Sequence, residues 1–183
     1  MHLPCPIPAL SFREAKMKSV IGVLLIAACV FSKDPQPRSQ DVSHKGAAAC
    51  NSPYIPIGGR CLIIESVRKG TWSGMREMCQ MLNGDLVKIN TMEIMGGIVE
   101  HIRDNGNKDH SFWVGASDAG HEGSWTWTDG TPVAMGAPLW EQCTSRQPDG
   151  GSDQNCAMMS AWSCLHLTDV KCDSLNFGIC EAH

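Results

Sequence analysis

Phe112-Trp113-Val114-Gly115 and Gly123-Ser124-Trp125-Thr126-Trp127-Thr128-Asp129-Gly130 are the stretches whose reading decides the fold of this 183-residue chain. The first is a short apolar strand. The second alternates tryptophan with small or hydroxyl residues and then turns at Asp129-Gly130. Residues 131–155, which follow, show little regular pattern and much Gly and Pro. A loop of that length in a compact domain is usually functional or disordered. Cys143 and Cys156 bracket its second half, which argues for order.

Upstream the pattern is helical. Thr71 is placed to cap a helix running to about Leu82, because Trp72, Met75, Met78/Cys79 and Leu82 recur every three to four residues. Asn83-Gly84 ends it. Thr91 caps a second helix with Ile94, Ile98 and Ile102 on one face, stopped at Asn105-Gly106. Short strands are expected at Cys61–Ile64, at Leu86–Ile89, around Cys156–Met159 and at Leu175–Cys180. A hairpin turning at Gly58-Gly59 lies between Cys50 and Cys61.

The amino-terminal part differs in kind. Val20–Ala28 is an apolar run preceded by Lys16 and Lys18 and followed by small residues, the three-part layout of a secretory signal. It falls well short of the ~20 residues needed to span a bilayer. Cleavage after Ser32 or after Ala28 fits. Residues 1–16 read as an upstream extension, 17–32 as the signal, 33–49 as a flexible leader, and 50–183 as the folded domain. Cys5 and Cys29 leave with the signal, so ten cysteines become eight, an even set in an oxidising compartment.

Charge and motifs exclude several functions. The full chain carries a net charge of −4. Removing the signal takes three basic residues and one acidic, leaving 12 and 18, a net −6. No clustered Lys/Arg face points to nucleic acid. Membrane insertion is not expected. Catalysis is not expected either, for the seven histidines form no His-x-x-x-His pair. There is also no Gly-x-Ser-x-Gly elbow and no Gly-rich phosphate loop.

Taken together, the ordered motifs resemble a C-type lectin-like domain. Trp72, Cys79, Gly84 and Leu86 look like its first helix and following strand. Trp113-Val114-Gly115-Ala116 resembles its Trp-Ile-Gly-Leu signature. Glu122–Trp127 with Asp129-Gly130 is similar to its next strand and turn. Gln147-Pro148-Asp149 matches a sugar-reading triplet, Leu167–Cys172 takes the place of Trp-Asn-Asp-x-x-Cys, and Ile179-Cys180-Glu181 is the usual ending. The resemblance covers residues 50–182 in the style of a secreted, single-domain arthropod lectin. It implies an α+β fold: two helices flank small antiparallel sheets with a long loop region, all stapled by disulfides.

The resemblance also implies pairings and a site. Cys79 would pair with Cys180, Cys156 with Cys172, and Cys50 with Cys61, leaving Cys143–Cys164 as an extra bridge. Calcium, which takes six to eight oxygen ligands, would be held by Gln147, Asp149, Gln154, Thr168 and Asp169. Pro148 would be cis, and Asp118 and Glu122 would supply an auxiliary calcium site. Two vicinal sugar hydroxyls would complete the coordination, and the Gln-Pro-Asp order is that of galactose-type members. Gln154, Thr168 and Leu167 depart from the usual Glu, Asn and Trp, which predicts weaker calcium binding. Trp162 is the candidate ring for stacking on a sugar, while Trp140 reads as core. The expected partner is a microbial surface glycan met outside the cell, in innate immunity. The alternative is a calcium-independent protein-binding or ice-binding member. An oligomer is compatible, because weak single sites gain from multivalency.

Overall fold

A computed structural model describes residues 50–183. The upstream extension, signal and leader assigned to residues 1–49 lie outside the described residues. In chain order the elements are β1 (Ile55–Ile57), β2 (Arg60–Gly70), α1 (Trp72–Met81), β3 (Gly84–Leu86) and α2 (Met92–Asp104). They continue with β4 (Phe112–Ser117), β5 (Thr126–Trp127), β6 (Cys156–Met159), β7 (Leu167–Val170) and β8 (Asn176–Ala182).

The helices start where their caps place them. The Thr71 hydroxyl accepts from the Gly74 amide at 3.1 Å, and that of Thr91 accepts from the Ile94 amide at 3.3 Å. Asn83 takes φ 62° just past α1, and Gly106 takes φ 73° just past α2. Both are left-handed residues of the kind that close a helix. Ile94, Ile98 and Ile102 of α2 are fully buried. Burying each such side chain is worth about 1.5–3 kcal/mol relative to exposure.

The strands run β1-β2-β8-β4-β6-β7, with β3 also beside β8 and β5 beside β4. The small antiparallel sheets expected from sequence are thus joined into one. The link is β4 against β8, the sole parallel pairing among the described strands. β4 is buried on both faces. Phe112, Val114 and Ala116 enter the core on which α2 packs, while Trp113 enters a second cluster with Met75 and Cys79 of α1. β8 divides the same way, with Phe177 and Ile179 on one side and Cys180 on the other. This is the period-two alternation of a strand between two layers. The indoles are anchored as well: Trp72 Nε1 donates to the Val114 carbonyl at 2.8 Å, and Trp113 Nε1 to that of Gly70 at 2.9 Å.

Three strands differ from expectation, the one read at Cys61–Ile64 running over Arg60–Gly70. The strand read at Leu86–Ile89 is Gly84–Leu86, ending where Val87 turns its amide to the Ile179 carbonyl. Leu167–Val170 is a full strand, formed by pairing with β6.

Cys50–Cys61, Cys79–Cys180 and Cys156–Cys172 are bonded as expected. Cys143 and Cys164 are not; both are free thiols. A parallel bridge aligns Trp140 with Leu167. Cys143 lies three residues beyond one partner and Cys164 three before the other, so the chain carries them toward opposite ends of the bridge. A disulfide requires Cα atoms within about 7 Å.

Gly84 fits a place without room for a side chain. A Cβ there would collide with the Glu181 carbonyl and the Tyr54 hydroxyl. That hydroxyl donates to the Leu82 carbonyl at 3.1 Å, and burial pushes the phenol pKa up. Gly84→Ala is therefore expected to lose about 1–3 kcal/mol in urea unfolding; an unchanged midpoint would contradict this packing.

Candidate functional site

β6 and β7 form a hairpin, and the long loop between β5 and β6 runs along β7, from Trp140 beside Leu167 to Gly150 at Asp169. Asp169, on β7, is 2% exposed. Its two carboxylate oxygens accept the backbone amides of Asp149 at 3.1 Å and Gly150 at 2.8 Å. Hydrogen bonds to a charged acceptor of this kind are worth about 1.5–3 kcal/mol each. One buried carboxylate therefore organises the turn that follows Pro148. The Gln147–Pro148 peptide is cis, as the resemblance implied.

The triplet opens on a cavity of about 260 Å³ lined by Asp118, Glu122, Trp125, Met135, Pro148, Asp149 and Asp169, among others. Four carboxylates thus face one space. Asp149 is exposed and Asp169 buried. Asp118 is 3% exposed; its Oδ2 accepts the Gly123 amide at 2.8 Å, while its Oδ1 is buried with no hydrogen-bond partner. The pair expected to form an auxiliary site therefore shares a cavity with Asp149 and Asp169.

The remaining expected residues stand elsewhere. The Gln147 amide is occupied: its Oε1 accepts the Asp169 amide at 3.3 Å and its Nε2 donates to Ser145 Oγ at 2.8 Å. Gln154 packs over Gly150, where a Cβ would collide with its side chain. Thr168 precedes Asp169 on the strand, and alternation turns it to the other face. It is 8% exposed, and its Oγ1 has no partner. None of the three lines the cavity. Trp162 is 80% exposed in the short turn joining β6 to β7. That turn lies at the opposite end of the hairpin from Cys156 and Val170, so Trp162 does not meet the triplet. Trp125, Met135 and Pro148 are the apolar lining instead. Trp140 is core, 1% exposed and edge-on to Trp125 at 4.9 Å between ring centroids.

The donor set is oxygen-rich and anionic, which suits a hard cation such as calcium, and the orphaned Asp118 Oδ1 is one acceptor available to it. Among the described residues, however, no three His, Cys, Asp or Glu side chains are close enough together to form a metal cluster. The carboxylates converge on one cavity without closing on a point.

Glu141 was not singled out by sequence. It is 2% exposed, and its Oε1 accepts the amides of Cys143 and Thr144. Nothing in a pattern-free loop marks one of its carboxylates as buried. A second cavity, of about 370 Å³, is lined by Arg60, Asp85, Lys88, Asp129 and Glu181, with others. Its charges are paired: Arg60 with Glu181 at 2.8 Å and Lys88 with Asp129 at 2.7 Å, while Asp85 receives Arg76 at 3.0 Å. Hydrogen bonds from Lys88 and Thr131 hold the Asp129 carboxyl well below the usual carboxylate range. Any stability from this depressed pKa is present above the unfolded value and fades as pH falls through the folded one.

The family model described as Lectin C-type domain matches residues 68–182. The chain belongs to the C-type lectin domain family. It is similar to C-type lectin domain family 6 member A of Mus musculus, 29% identical over 142 residues. The match covers 76% of this chain and 64% of that relative, so the chain spans less than two thirds of the relative's length. Among solved structures it is similar to the mouse scavenger receptor C-type lectin carbohydrate-recognition domain. That match is 28% identical with TM-score 0.59, covering 72% of this chain and 94% of the other. It is also similar to a calcium-independent type II antifreeze protein, 27% identical with TM-score 0.60, covering 75% and 97%. Relatives of this lectin-family domain thus include carbohydrate-recognition and antifreeze members. No helix among the described residues is long and apolar enough to cross a membrane.

Removing the Asp169 carboxylate leaves two loop amides without an acceptor. Asp169→Ala is expected to lower stability by about 2–4 kcal/mol in denaturant unfolding, and Asp169→Asn by less, since it keeps one carbonyl oxygen. Equal stability of all three proteins would remove Asp169 as the organiser.

Proposed function

We propose that this chain is a secreted binding protein that recognises sugars through calcium and catalyses nothing. The supporting observation is the convergence of Asp118, Glu122, Asp149 and Asp169 on one cavity beside the cis Gln147–Pro148 peptide. Asp149 and Asp169 would be the main calcium ligands, with Asp118 and Glu122 completing the charge. Gln147, Gln154 and Thr168 belong to the ligand set by family resemblance; they reach the ion only after side-chain rearrangement. A sugar hydroxyl both donates and accepts, so a vicinal pair suits a cation flanked by carboxylates. The Gln-Pro-Asp order supports a galactose-type preference. Trp125 and Met135, in place of Trp162, offer an apolar surface to the ring. The signal-like Val20–Ala28 run supports secretion, and microbial surface glycans in innate immunity are the corresponding partners.

A second reading has its own support: three of the five expected calcium ligands lie outside the cavity, and a calcium-independent antifreeze protein is similar over 75% of the chain. In that reading the domain binds protein or ice without a metal.

Calorimetry with calcium, repeated on Asp149→Ala, is expected to show binding that weakens at least about tenfold on losing one anionic ligand. A glycan array with and without chelator should show galactose-type signals that vanish on chelation. Calcium binding unchanged in Asp149→Ala would reject the site. Chelator-insensitive protein binding, or ice-growth inhibition, would favour the second reading.

A further inference from the structure

The peptide bond that enters Pro148 lacks an N–H, because proline has none. Its carbonyl, on Gln147, is therefore its only polar handle. That carbonyl accepts Gln142 Nε2 at 3.0 Å, and the same nitrogen donates to the Glu141 carbonyl at 2.7 Å. The Gln147 amide also returns to the Glu141 carbonyl, at 3.0 Å. Residues 141–147 thus close into a ring, with Gln142 bracing it where it closes. The ring is tied once within itself and once to β7. The Glu141 side chain, buried, takes the amides of Cys143 and Thr144. The Glu141 amide donates to the Leu167 carbonyl at 3.0 Å, two residues from Asp169.

We propose that Gln142 is a positioning residue: it fixes the Gln147–Pro148 peptide and thereby sets where Asp149 stands in the cavity. Gln142 touches no lining carboxylate itself and acts through the Gln147 carbonyl. Asp149 and Gly150 are held from the other side by Asp169. The segment is braced at both ends, and Gln142 is the exposed member of the brace. The proposal rests on reading that cavity as the binding site.

Exposure makes Gln142 testable where Glu141 is not, because removing a buried carboxylate risks the fold. Gln142→Ala removes the amide, and Gln142→Glu keeps its shape while removing both N–H donors. Each variant is expected to keep the parent's melting temperature. In calcium-free protein, amide exchange at Gln147, Asp149 and Gly150 is expected to speed up about three- to tenfold, the factor one lost hydrogen bond supports. Calcium affinity measured by calorimetry should fall by a similar factor in both variants. Unchanged exchange at these amides would overturn the proposal, as would unchanged calcium affinity beside a parent that binds. A large fall in melting temperature with exchange accelerated throughout would make Gln142 a structural residue and overturn it too. If the parent binds no calcium, the metal reading fails, and the exchange measurement still decides the brace.

Discussion

The last strand holds the domain closed. β8 pairs with β2, β3 and β4, and no other described strand joins the β1–β2 side of the sheet to the β4–β6–β7 side. Without it the two halves of the sheet share no ladder. β8 must therefore be in place before the core is complete. Cys180, fully buried on β8, is bonded to Cys79 on α1 across a sequence separation of 101. A crosslink closing a loop of that size removes about 4.7 kcal/mol of unfolded-state entropy in the chain-entropy model. Ladder and crosslink act at the same place, so one short segment carries both the topology and much of its stabilisation.

Buried carboxylates extend that order into the region without regular structure. Asp169 draws the backbone after Pro148 onto β7, and Glu141 draws in the turn before it. Val133, Leu139 and Trp140 pin the first part of this loop to the core, and beyond them it is held mainly by acceptors for its amides. The same choice concentrates negative charge: Asp118, Glu122, Asp149 and Asp169 share a cavity whose natural complement is a cation or a set of hydroxyl donors.

Much of this was legible in the sequence where local rules act. The Ile94, Ile98, Ile102 stripe and the Thr71 and Thr91 caps located both helices, because side-chain spacing and capping are decided within a few residues. Three cysteine pairs and the cis Pro148 followed from the resemblance. Leu167–Val170 gave no strand signal, since Thr168 and Asp169 break the apolar run and only pairing with β6 makes it a strand. Trp162 stands away from the triplet because nearness in sequence is not nearness in space across a hairpin, and Cys143–Cys164 was only the pair left over from the family's scheme, which does not bring the two thiols together. For Gln147, within the triplet, and Gln154, shortly after it, a sequence cannot say that their side chains are already engaged in hydrogen bonds and packing.

Gly150 bears on how such a site can change. Gln154 occupies the space beside its Cα, so any larger residue there must first displace Gln154. The position just after the triplet is thereby closed to a ring-bearing side chain by a single substitution. Met135, which lines the cavity, is not so constrained: it is 51% exposed, and Trp140 fixes the backbone on both sides of it, with Nε1 donating to the Ala134 carbonyl and the amide to that of Gly136. The lining of the cavity can therefore change there by exchange of one side chain on a backbone that is already set.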